Sequence, residues 1–90
     1  MDIRVVFGRN LRRYRLAAGL SQEAVAERMG VDRAHVSSME RGQQNVTLLT
    51  VWQAAQALER KAAEFLDEDA AATVVSGGGA KAPRRRRTKS

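Results

Sequence analysis

The side chains best placed to do chemistry lie between Gln22 and Gln44, and they are hydrogen-bond donors rather than nucleophiles or metal ligands. In the run RAHVSSMER, helical spacing puts Arg33, Ala34, Ser37, Ser38 and Arg41 on one side and Val36, Met39 and Glu40 on the other. The first side is polar and, apart from its arginines, short, so the backbone behind it can approach another molecule closely. A guanidinium carries paired donors that match two adjacent acceptors, such as guanine O6 and N7. A small methyl group suits the thymine methyl, and hydroxyls serve several bases. This pattern points to base reading by Arg33, Ala34, Ser37 and Ser38 inside a major groove about 12 Å wide. Gln22 sits where a helix start would offer free N–H groups and partial positive charge, which suits a phosphate. Gln43 and Gln44 suit a phosphate on the other side of the groove, and Arg41 adds a charge there.

Such residues need short, rigid helices to hold them. Gly19, Gly30 and Gly42 fall at intervals that punctuate helices, and the only proline is Pro83. No run alternates apolar and polar residues long enough for a sheet, so the body reads as all-α. A first helix spans about Ile3 to Ala18, with Phe7, Leu11 and Tyr14 as its core stripe. A second starts at Ser21 as N-cap, but Ala24 stands where a full capping box wants Glu or Gln. Val25, Ala26 and Met29 form its inner side, and Gly30 makes the sharp turn. A third helix is expected from an Asp32 cap to about Arg41. A fourth follows a Thr47 cap, with Leu48, Val51, Trp52, Ala55 and Leu58 in register. Residues 62–67 read as a fifth, packing Phe65 and Leu66. Pattern is lost after Ala72, which divides the chain into a folded domain over 1–72 and a Gly-rich linker with an Arg-rich, disordered tail over 73–90.

Composition narrows the classes. The chain has 90 residues, enough for one small core, and no cysteine, which excludes disulfides and thiolate metal sites. One histidine and no carboxylate pair set against a pocket-forming scaffold argue against an enzyme, and no metal or other cofactor is expected. No stretch nears the roughly 20 apolar residues of a membrane span, and no secretion signal is visible, which suits a cytoplasmic, nucleoid-associated protein. The net charge of +6 is unevenly spread: residues 77–90 carry six basic side chains and no acid, so the body is neutral. Within the body, residues 1–45 have eight arginines against five acids and residues 46–76 two bases against five acids. The positive end contains the base-reading stretch, which suits a polyanion.

The run RRYRLAAGLSQEAVAERMGVDRAHVSSMERG, followed by NVTLLTVWQAAQAL, resembles the lambda-repressor-like (Cro/XRE) helix-turn-helix family over about residues 7–67. Within it, NVTLLTV and the short length are most similar to the controller proteins of restriction–modification systems. The resemblance implies a five-helix domain that binds double-stranded DNA as a homodimer on a pseudo-palindromic operator and regulates transcription. It implies that Gln22 both binds phosphate and braces the start of the third helix. It implies an ion pair between Arg15 and Glu40 that orients the reading helix. Dimer contacts are expected from Leu49, Trp52, Phe65 and Leu66. Three departures stand out. Val46 replaces a proline, Leu49 replaces a polar residue, and a small Ala54 beside a large Trp52 suggests compensation in volume.

Blander readings stand beside these. The arginines of the first helix are most simply a solvated face, His35 a packed or solvent-facing side chain, and Arg41 a cap on its helix dipole. The tail at Arg84–Arg87 has three uses: a solvated end, a non-specific DNA arm, or a tag for an acidic protein partner. Two rival functions follow: an antitoxin-like or adaptor protein, and a nucleoid-type protein that coats DNA without sequence preference.

Overall fold

The computed structural model describes residues 1–72. Its elements run α1 (Ile3–Ala17), α2 (Gln22–Met29), α3 (Arg33–Glu40), α4 (Leu48–Leu58), a 3₁₀ segment (Ala62–Leu66) and α5 (Glu68–Ala72). The fifth helix expected over residues 62–67 is a 3₁₀ segment, and α5 is a further short helix that follows it. Asp67 makes the break, its Oδ1 accepting the N–H groups of Asp69 and Ala70 at 2.9 and 3.2 Å.

Helix ends follow local chemistry. Ser21 Oγ accepts the Ala24 N–H at 3.0 Å, and Thr47 Oγ1 accepts that of Thr50 at 3.1 Å. Asp32 does not cap as expected: its backbone is extended, but its side chain makes no cap hydrogen bond, and only its carbonyl engages α3. Gly30 closes α2 at φ 75°, a left-handed turn that a side chain would strain. Glu59 closes α4 in the same region at φ 56° without being glycine.

The core is one cluster between α1, α2, α3, α4 and the 3₁₀ segment, with Phe7, Leu11, Val25, Val36, Met39, Ala54 and Phe65 all but inaccessible. Phe65 packs against Phe7 and, edge to face, against Tyr14, with centroids 6.0 and 5.1 Å away. The ring thus anchors the 3₁₀ segment inside the subunit. Its expected part in a dimer contact is corrected, because a fully buried side chain has no surface to offer a partner.

Helix α4 also differs from the sequence pattern. Its buried side is Val51, Ala54, Ala55, Ala57 and Leu58, while Leu48, Leu49 and Trp52 face outward. Trp52 therefore does not fill the volume that Ala54 leaves. The apolar stripe of α4 is wider than the core that it covers.

Two long-range features fix α1. Gly8 lies so close to α3 that an added Cβ would stand 2.3 Å from the Met39 carbonyl oxygen, so only glycine permits this approach. Asn10 is fully buried and donates from Nδ2 to the carbonyls of Phe65 and Asp67, both at 3.0 Å. Arginines hold other carbonyls: Arg9 donates to Ala71 at 3.3 Å, Arg15 to Leu20 at 3.0 Å and Arg28 to Ala57 at 2.9 Å. Arg9 makes this bond while remaining exposed, in keeping with the solvated face expected of it.

Candidate nucleic-acid interface

Three donors meet Glu40, the last residue of α3. Arg15 Nε and Nη2 reach its carboxylate at 2.6 and 3.1 Å, and Gln22 Nε2 reaches it at 3.0 Å. The Arg15 and Glu40 side chains are only 10% and 4% exposed. The pair is bidentate, shielded and joined to the start of α2, so it ties three helices together. Gln22 braces the far end of α3 rather than its start, because its amide turns toward the carboxylate. One of its amide hydrogens is used there, which leaves the other for a ligand.

The opposite face of α3 is open. Val36 and Met39 point into the core, whereas Arg33 and Ala34 are exposed and Ser37 and Ser38 half-exposed. Arg33 is the first residue of α3 and makes no hydrogen bond or ion pair among the described residues. It extends from a helix whose other end is clamped. His35 lies half-buried at the border of the two faces.

Beyond α3 the polar groups interlock. Arg41 Nη1 donates to Ser37 Oγ, and Arg41 Nε donates to Gln43 Oε1 at 3.1 Å. Gln44 Nε2 and Ser38 Oγ are 3.0 Å apart. Two of the four residues expected to read bases are thus already bonded to residues expected to hold phosphate. Spacing alone put these groups on one surface; their bonding to one another had no signal in it.

A second surface is apolar. Leu48, Leu49 and Trp52 share an outward face of α4 and are 82%, 62% and 55% exposed. Beside them Ile3, Val46, Leu48 and Leu66 line a groove of about 410 Å³ that also takes in Arg4 and Asn45. Leu66 is partly exposed at its rim. The Asp2 carboxylate, at the groove's edge, is held at a pKa of about 2 by hydrogen bonds from the Arg4 side chain and backbone. No helix among the described residues is long and apolar enough to cross a membrane.

A short helix clamped from behind, with an open polar face and a preceding helix that starts beside it, defines a helix-turn-helix unit. The chain belongs to the helix-turn-helix family, whose model matches residues 11–65. More narrowly, it is similar to restriction–modification controllers. Control protein C.SmaI of Serratia marcescens is 41% identical, over 73% of this chain and 79% of that protein. The crystal structure of the controller C.AhdI from Aeromonas hydrophila superposes with a TM-score of 0.66 at 45% identity, covering 69% of this chain and 90% of that one. The controller C.Esp1396I, solved as a tetramer with its natural 35 base-pair operator, superposes at 0.66 with 25% identity, covering 72% of this chain and 86% of that one.

Proposed function

We propose that this protein is a sequence-specific DNA-binding regulator of transcription that acts as a homodimer on a pseudo-palindromic operator. The observation that carries the reading is Arg33, exposed and unengaged at the first position of a helix whose far end is locked by Arg15, Glu40 and Gln22. α3 enters the major groove, with Arg33, Ala34, Ser37 and Ser38 toward base edges. Gln22, Gln43, Gln44 and Arg41 lie toward the flanking phosphates. Controller-type relatives, one of them solved on its operator, support the same reading. Such a regulator acts where the DNA is, in the cytoplasm and on the nucleoid.

One short helix makes too few base contacts for the 10⁻⁸–10⁻¹¹ M typical of specific sites, which is why two copies are needed. The exposed Leu49 and Trp52, with Leu66 at the groove beside them, supply the surface for a second copy. The two reading helices would then fall about 34–36 Å apart, in successive major grooves. The six basic residues of 77–90 add affinity without sequence information, as a DNA arm.

Selection from random DNA with the purified protein tests the function. It should enrich a two-part motif, and Arg33→Ala should cost about 1–3 kcal/mol and relax one base position in each half. Enrichment of no motif would favour the coating protein instead. Sedimentation that finds a monomer at micromolar concentration, with and without DNA, would remove the dimer. Deletion of residues 77–90 should flatten the dependence of affinity on salt, and an unchanged slope would show the tail to be idle.

A further inference from the structure

We infer that Arg41 sets the hydrogen-bonding direction of Ser37, so that this serine reads DNA only as a donor. The inference rests on the proposed placement of α3 in the major groove and adds to it a rule for what one residue reads. A free serine hydroxyl is ambivalent, with one proton to give and two lone pairs to receive. It meets an acceptor such as guanine O6 or thymine O4 as readily as a donor such as cytosine N4. In this structure Ser37 Oγ is not free, because Arg41 Nη1 points at it. A guanidinium has no acceptor and does not lose its proton in proteins, so in this bond the serine oxygen must receive. Its proton is then directed at a partner outside the chain. An acceptor is welcome there, while a donor competes with Arg41 for the remaining lone pair.

The same guanidinium orients Gln43. Nε donates to an atom of the side-chain amide at 3.1 Å, and only the amide oxygen can receive it. Both amide hydrogens of Gln43 therefore remain for a phosphate oxygen. One residue at the C-terminal end of α3 thus aligns a base-facing hydroxyl and a phosphate-facing amide. In the neighbouring contact Gln44 Nε2 donates to Ser38 Oγ, but that direction is less firmly held, since a turned amide presents an acceptor in its place and a guanidinium has none. Arg41 is accordingly a positioning residue, and its effect on sequence choice passes through Ser37. A direct phosphate contact by Arg41 would instead act alike on every sequence.

The test is a base-by-base affinity profile across one half-site, with random DNA as reference, for the wild type, Ser37→Ala, Arg41→Lys and Arg41→Gln. Arg41 is exposed and outside the core, so the variants should fold; circular dichroism confirms it. Ser37→Ala should identify one position where the wild type prefers a base pair that offers an acceptor, and should lower that preference by about 2- to 12-fold, the net value of one hydrogen bond. Arg41→Gln, whose amide can donate or accept, should flatten the same position and no other, on top of a uniform loss of affinity. Arg41→Lys keeps charge and donor and should retain the preference. If Arg41→Gln lowers affinity equally for all sequences and leaves the Ser37-dependent position sharp, the inference is overturned while base reading by α3 stands. If Ser37→Ala moves no position, or the preferred base offers only a donor, it is likewise overturned. If the wild type itself shows no base preference, base reading fails, and this inference with it.

Discussion

Truncation of Glu40 should show how much of the domain depends on the clamp behind α3. In Glu40→Ala, Arg15 loses partners at 2.6 and 3.1 Å, and Gln22 loses one at 3.0 Å. Arg15 keeps its bond to the Leu20 carbonyl, at 3.0 Å, but as a largely buried cation without a counter-charge. Breaking a buried pair in this way costs about 3–5 kcal/mol, whereas an exposed pair is worth about 0–1 kcal/mol. The exposures of 10% and 4% place this pair in the first regime. A domain of 72 described residues has roughly 4–11 kcal/mol in total, so the substitution should remove about a quarter of it or more. Urea unfolding followed by circular dichroism, at one fixed protein concentration, measures the loss. The double variant Arg15→Met, Glu40→Leu should recover most of it, because apolar groups of similar volume avoid the desolvation of two charges. A loss under 1 kcal/mol for Glu40→Ala would refute the reasoning, as would a double variant no more stable than the single one.

Three other substitutions or conditions probe particular backbone and electrostatic features. Gly8→Ala puts a methyl 2.3 Å from the Met39 carbonyl oxygen and must push α1 from α3, at a cost of about 1–3 kcal/mol or more; a thermal melt equal to wild type would disprove the contact. Glu59→Gly relieves a left-handed residue at φ 56°; after the entropy cost of glycine the gain should be about 0.5–1 kcal/mol, visible as a rise of a few degrees in melting temperature, and a drop would contradict it. The Asp2 carboxylate has its folded pKa lowered to about 2 from 3.8, so its support of α1 is complete above pH 4 and is lost as pH falls through 2. An NMR titration of that carboxyl should find its midpoint near 2, and a midpoint near 4 would show the bonds from Arg4 to be absent in solution.

The sequence carried what depends on neighbours along the chain. The glycine at 30 and the caps at Ser21 and Thr47 are local devices, and all three appear where the pattern put them. The Arg15–Glu40 pair was legible only through family resemblance, because its partners lie 25 residues apart. Gly8 and Asn10 carried no signal. A glycine inside a helix looks like a weak position until the backbone of α3 lies against it, and an asparagine looks solvated until two carbonyls are found above it. Phe65 leaves the expected dimer contact for the core, and Trp52 leaves the core register of α4 for the surface, for a related reason. A 3₁₀ turn aims its side chains differently from an α-helix, and the apolar face of α4 continues past the core edge.

The arginines that hold backbone carbonyls bear on how such a protein would find its site. Arg9, Arg15 and Arg28 are counted as positive charge, yet each is turned to the protein's own backbone or to Glu40. Bonds to neutral carbonyls leave the charges of Arg9 and Arg28 in place, but residues 1–72 carry ten basic and ten acidic side chains. The net electrostatic attraction that holds a protein loosely on any duplex is therefore thin in the folded body. On the proposed function, a bare domain would leave unrelated DNA quickly and spend its search in solution, settling only where Arg33 and its neighbours find their bases. Long one-dimensional excursions along the duplex would then depend on the basic residues of 77–90, so the chain separates the means of scanning from the means of recognition.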